Sequence, residues 1–290
     1  MWNTVKTTLL LSVLTLFFVY VGRLLGGQTG MLLALGFAVV MNLGSWWFSD
    51  RIVLAMYRAR PITAEDAPDL HRMVRELTDR ARIPMPALYI LPQEAPNAFA
   101  TGRDPAHAAV AVTQGLLRMM PPDEVRAVIA HELGHVANRD TLISAIAASM
   151  AGAISVLADI ARWGLLLGGG RSDEEGESPM ASLAALIVAP FAAMLIQLAV
   201  SRSREFAADA YAAKLIGDGE PLARALRRLE SGIMATPADA STSTAHLFIV
   251  NPFAGKRMLS LFRTHPATED RIAALMTMRP AVGTRARWTG

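Results

Sequence analysis

The chain has no cysteine among its 290 residues, which excludes disulfides, thiolate metal sites and a cysteine nucleophile together. Any metal must be held by histidine and carboxylate, and histidine is scarce at six residues. Charged residues make up only 18% against 52% apolar. With a mean hydropathy of +0.32, that balance places part of the chain in lipid. The net charge of +3 and a pI near 9.6 leave phosphates, anionic lipids and membrane orientation open as uses for the basic residues. There is no nucleic-acid recognition motif and no basic run interleaved with aromatics, so no nucleic-acid partner is expected. Internal repeats are absent, and the length accommodates one large domain or two smaller ones.

Long uncharged runs are what the chain has instead. "TTLLLSVLTLFFVYVG", Thr7 to Gly22, is bounded by Lys6 and Arg23, which can snorkel at its ends. Extended through Leu24 and Leu25, it comes within range of a bilayer span. No small-residue cleavage site follows it, and a second apolar run begins at once, which argues against a cleaved leader. That second run, Leu24 to Ser49, ends at Trp46 and Trp47, placed as an interfacial belt. Together the runs predict a hairpin across the bilayer. Lys6 precedes it and Arg51, Arg58 and Arg60 follow it, which puts both ends in the cytoplasm by the positive-inside rule.

A second apolar pair surrounds "GGGRSDEEGESP". One member is uncharged from Thr141 to Ala158 and continues past Asp159 and Arg162 to Leu167. The two charges are three residues apart and can pair on a helix. The other runs from Ser178 to Ser201 and contains Pro190. The loop between them is acidic (Asp173, Glu174, Glu175, Glu177), whereas the flanks carry Arg139, Arg202 and Arg204, so the loop is expected outside and the flanks inside. The alternative is a buried or half-embedded helical hairpin. The expected organisation is an N-terminal transmembrane hairpin over 1–50, a first water-soluble block over 51–140, a second hairpin over 141–201 and a second soluble block over 202–290. Within the last, "MATPADASTSTAH", Met234 to His246, reads as a mobile loop that could cover a cleft.

The soluble blocks hold the chemistry. "PPDEVRAVIAHELGH" opens with Pro121, Pro122, Asp123 and Glu124, a helix start in which proline fits and acids favour the dipole. Val125, Val128, Ile129, Leu133 and Val136 mark its apolar side. His131 and His135, one turn apart, share a face and can bind one ion, while Glu132, rotated by about 100°, stands beside that ion as a general base for the attacking water. In "SREFAADAYAAKL", Glu205 and Asp209 share a second helical face. A catalytic zinc takes three protein ligands and keeps one position open. Glu205 completes the set, and Asp209 would accept a ring N–H from a ligand histidine. The two acids can equally pair with Arg202, Arg204 or Lys214 at a solvated helix end. "ALYIL" (Ala87–Leu91) and "AAVAVT" (Ala108–Thr113) read as strands. His71, His107 and His246 read as surface or loop histidines.

"HELGHVANRD", "SREFAADAYA" and "THPATEDRI" in this order, with "PNAFATG" before them and apolar hairpins interposed, resemble the HtpX-type membrane zinc proteases, relatives of the CAAX prenyl endopeptidases. The resemblance covers nearly the whole chain. It implies an α+β, mainly helical, integral membrane protein with about four transmembrane helices in two hairpins and a zincin-like cytoplasmic catalytic domain. It also implies one Zn2+ per chain, the bacterial inner membrane, and misfolded membrane proteins as substrates in quality control under stress. His131, His135 and Glu205 would be ligands, Glu132 the base and Asp209 their supporting acid. Asn97, His265 and Arg271 would lie along the cleft and hold the substrate backbone or the oxyanion. His265 could instead cap the chain before Pro266, and Arg271 could be an exposed helix charge. In related metalloproteases an edge strand above the active-site helix binds the substrate in extended form, and either predicted strand could serve. The rival functions are a non-catalytic zinc-binding scaffold or chaperone and a CAAX-type processing peptidase. The oligomeric state is not legible.

Overall fold

The computed structural model describes residues 2–148, 150, 202–235, 247–250 and 266–278. Most of the second apolar pair, its acidic loop, the 236–246 stretch and His265 therefore lie outside the described residues. What is described is mainly helical with one small sheet.

Helix α1 spans Trp2–Met56 and breaks at Gly26 and Gly27, with Gly27 at φ 58°, a conformation glycine adopts at no steric cost. The two arms fold back on each other. A Cβ on Gly22 would collide with the Ala34 Cβ and the Gly30 carbonyl oxygen, so bare backbone is required at this crossing. Further along, Phe18 meets Phe37 edge-on at 5.5 Å, and Asn42 Nδ2 donates to Thr15 Oγ1 at 2.8 Å and to the Leu11 carbonyl at 3.2 Å. The second arm, Gly26–Met56, is the one helix among the described residues long and apolar enough to cross a membrane; the first holds a shorter apolar stretch, Thr7–Tyr20.

Beyond the hairpin follow β1 (Arg60–Pro61), α2 (Pro68–Ala81), β2 (Ala87–Leu91), β3 (Ala98–Gly102), β4 (Ala108–Thr113), α3 (Gln114–Met119) and α4 (Pro122–Ala137). The sheet order is β1-β2-β4-β3, with β2 and β4 parallel and β3 antiparallel to β4. Both predicted strands are present, β2 and β4, and both are interior. The long edge is β3, built from "AFATG" and absent from the sequence reading. Every residue of β4 is buried, as an interior strand covered on both faces requires.

Helix α4 packs against β3, β4 and the later helices. Proline at its first position and Asp123 and Glu124 in its first turn start it as expected. Eleven of its sixteen residues are buried, so it is the central helix of the fold. A further helix, α5, runs over 141–148. Ile143, Ile146 and Met150 pack with Leu14 of α1, joining the later part of the fold to the hairpin. Helices α6 (Arg202–Ile216), α7 (Glu220–Ala235) and α8 (Thr268–Met276) complete the described chain. A Cβ on Gly134 would approach the Ala208 Cα at 3.2 Å and the Tyr211 Cβ at 3.3 Å, so glycine lets α6 lie close along α4. Arg228 of α7 grips the buried Glu124 with two hydrogen bonds, at 2.7 and 3.1 Å.

Candidate metal centre

The close α4–α6 contact brings the predicted ligands together. His131 and His135 rise from one face of α4 with their Nε2 atoms 3.2 Å apart. From α6, Glu205 Oε1 lies 3.7 Å from His135 Nε2 and its Oε2 lies 3.8 Å from His131 Nε2. One ligand atom from each residue falls within 4.8 Å of the others. Two ligands held at about 2.1 Å from a tetrahedral ion are separated by about 3.4 Å, so the donor set fits a zinc-sized ion. His131 is fully buried, and His135 and Glu205 keep 17% and 12% side-chain exposure, leaving the pocket one open side.

The supporting residues are buried with them. His131 Nδ1 lies 2.9 Å from Asp209 Oδ1, so the carboxylate stands where it accepts the ring N–H. Asp209 is not at a solvated helix end. It is 1% exposed and accepts two hydrogen bonds from Arg271 of α8, Nε to Oδ2 at 2.8 Å and Nη2 to Oδ1 at 2.7 Å. Burial pushes the Asp209 carboxyl up, but Arg271 and then His131 more than reverse this and hold it below the usual carboxylate range. Arg271, itself 1% exposed, also lies 3.3 Å from Glu205 Oε2 and donates to the Ile249 carbonyl at 2.7 Å. It is an internal charge, not a surface one.

Glu132 points from α4 to the sheet edge, where its Oε2 accepts the Ala100 N–H of β3 at 2.7 Å. Burial pushes its carboxyl up, and Glu205 adds to the rise against the opposing pull of His131 and His135. A carboxyl kept basic by a dry site is matched to proton abstraction. Asn97, just before β3, is buried and engages this chain's own backbone: Nδ2 donates to the Leu247 carbonyl at 3.4 Å and Oδ1 accepts from the Ile249 N–H at 3.3 Å. Together Asn97 and Arg271 fix the segment 247–250 beside the centre.

Two features were not anticipated. One is β3 as the strand that meets Glu132. The other is Asp140, whose Oδ2 stands 3.3 Å from His135 Nδ1. Its signal was an acid a short turn beyond a histidine pair. Among the histidines given no role, His107 is half-exposed and pairs with Asp104 at 2.9 Å.

Two histidines on a central helix, a glutamate brought across by the next helix and a second glutamate at a sheet edge define a metal-dependent hydrolase. The chain belongs to peptidase family M48, whose model matches residues 64–279. A "Protease HtpX homolog" from Syntrophobacter fumaroxidans is 52% identical over 282 residues, covering 96% of this chain and 100% of that one. Another of the same name, from Desulforapulum autotrophicum, is 53% identical over 277 residues, covering 95% and 90%. Among solved structures, S. mikatae Ste24p superposes with a TM-score of 0.51 at 18% identity, covering 94% of this chain and 65% of that one. This likeness is one of fold. The protein is a membrane-associated metalloendopeptidase.

Proposed function

We propose that the protein is a zinc endopeptidase of a bacterial inner membrane that cleaves unfolded or damaged membrane proteins on the cytoplasmic side. The observation that carries this reading is the convergence of His131, His135 and Glu205 beside a Glu132 carboxylate held at the edge of the sheet. When bound, zinc supplies Lewis acidity toward the scissile carbonyl and toward a water.

The residues of the chain do the rest. An extended substrate adds to the outer side of β3, where backbone pairing gives affinity with little regard for side chains. That pairing competes for the Ala100 N–H, so it releases Glu132 to accept the proton of the attacking water and deliver it to the leaving amine. Arg271 neutralises Asp209 and Glu205 and keeps both carboxylates in place. Sequence-tolerant capture of extended backbone suits damaged proteins as a substrate class. The flanking charges, with Arg51 near the end of the second arm and Arg58 and Arg60 directly after it, support a cytoplasmic catalytic body.

The natural lack of cysteine makes orientation testable with single introduced thiols. In intact spheroplasts, Cys at position 65 or 72, both exposed on the catalytic body, should resist a membrane-impermeant maleimide until the cells are lysed. Labelling of intact spheroplasts would reverse the orientation. Incubation of purified enzyme with an unfolded and a folded form of one membrane protein tests the substrate class, and equal cleavage of both would reject it.

A further inference from the structure

Asp209 stands behind His131, and a second carboxylate stands behind His135. Asp140 Oδ2 lies 3.3 Å from His135 Nδ1, the ring nitrogen remote from Glu205, and the residue is 3% exposed. A tight turn delivers it. After α4, Arg139 adopts the left-handed conformation at φ 57°, which costs a non-glycine residue energy and is kept only where the surroundings demand it. The Asp140 N–H then donates to the His135 carbonyl at 2.9 Å, so backbone and side chain both return to the same histidine. Arg204, next to Glu205 on α6, interacts electrostatically with Asp140.

We propose that Asp140 is a positioning residue for His135: by accepting the Nδ1–H it selects the tautomer and ring orientation that present Nε2 to the metal, the part Asp209 plays for His131. This rests on the zinc-peptidase reading above. A ligand histidine whose outer N–H is held by a carboxylate is better oriented and more basic, and loss of such a partner typically weakens metal binding by about 10–100-fold. Asp140 is also anchored to the rest of the fold. It immediately precedes α5, whose first residue, Thr141, donates to the Gly102 carbonyl of β3 at 2.8 Å. The same helix packs through Ile143 and Ile146 against Leu14 of the hairpin. The aim of one ligand is thus tied to the substrate-side strand and to the membrane hairpin.

The competing role for an acid in this position is to cap α5. Aspartate, asparagine and serine cap helices about equally well, whereas only aspartate and asparagine are long enough to reach His135. The test uses full-length, detergent-purified, metal-stripped wild type, Asp140→Ser and Asp140→Asn. Zinc affinity is measured by chelator competition, geometry by the visible spectrum of the cobalt-substituted protein, and stability by metal-free melting temperature. The Ser variant should bind zinc about 10–100-fold more weakly with an altered cobalt spectrum. The Asn variant should recover most of the affinity, and the two metal-free variants, which lose the same carboxylate charge beside His135 and Arg204, should melt together. Wild-type zinc affinity and cobalt spectrum in the Ser variant would overturn the proposal. So would equal losses of affinity and metal-free melting temperature in both variants, which is what a structural role gives. A wild type that binds no zinc at all would overturn the zinc reading itself.

Discussion

Removing the Arg271 guanidinium while keeping its bulk, as in Arg271→Met, exposes how the centre is stabilised. Arg271 is 1% exposed, makes two hydrogen bonds to Asp209 and one to the Ile249 carbonyl, and faces Glu205 at 3.3 Å. Without it, the buried Asp209 carboxylate keeps only His131. Breaking a buried ion pair by removing one partner costs about 3–5 kcal/mol, because the remaining charge is stranded. If that penalty arises at Asp209, then adding Asp209→Asn should relieve it. The double variant should be less destabilised than the sum of the singles by about 2–3 kcal/mol. Chemical denaturation of metal-free protein in detergent at pH 7.5, followed by circular dichroism, measures this. The folded Asp209 carboxyl is held below its unfolded value, so its contribution is present above the ordinary carboxylate range and lost as pH falls through the folded value. The wild-type advantage over Arg271→Met should therefore hold at neutral pH and shrink only in acid. Additivity of the two substitutions within about 0.5 kcal/mol would refute the reasoning.

Four further outcomes are expected. In the metal-free protein, burial lowers the His135 imidazole, but the Asp140 hydrogen bond and the charges of Glu205 and Glu132 outweigh it and bring it to about 9. Because a metal must displace that proton, zinc affinity should rise roughly tenfold per pH unit from pH 6.5 to 8.5, and pH-independent affinity would contradict this. With its value raised above the unfolded 6.5, His135 stabilises the metal-free fold below about pH 6.5, so the metal-free melting temperature should fall as pH rises toward 9. Ala100→Pro removes the β3 N–H that meets Glu132, on an outward-facing edge position that tolerates proline; kcat/KM on an unfolded substrate should drop at least about tenfold with zinc content unchanged, and unchanged kcat/KM would count against strand addition. Gly134→Val crowds Ala208 and Tyr211 of α6; overpacking should cost about 1–3 kcal/mol and weaken zinc binding by shifting Glu205, whereas unaltered affinity would detach the α4–α6 contact from the centre.

The parts legible in sequence were those with a local signal. Helix α4 carried its own start residues and its histidine spacing, and β2 and β4 carried runs of Val, Ile and Leu bounded by turns. The N-terminal hairpin was readable from two uncharged runs, but its break at Gly26 and Gly27 was not, because the runs overlap at Leu24 and Leu25 without a charge or proline to mark the turn. Strand β3 was not, because "AFATG" is short, alanine-rich and free of β-branched aliphatics, and becomes a strand by pairing with β4. The burial of Arg271 was hidden for another reason. Its partner Asp209 lies 62 residues away, and a lone arginine beside acids in a polar helix start looks solvated until α6 and α8 are packed together. Asp140 falls between these cases: the acid was visible, but its return to His135 depends on the left-handed turn at Arg139.

The most direct test of the account is zinc content and proteolysis of detergent-purified wild type beside Glu132→Ala, with casein or an unfolded membrane protein as substrate. The account predicts about one zinc per chain in both proteins and cleavage by the wild type alone. Cleavage by Glu132→Ala at the wild-type rate, or a wild type that cleaves after its zinc has been removed, would contradict it.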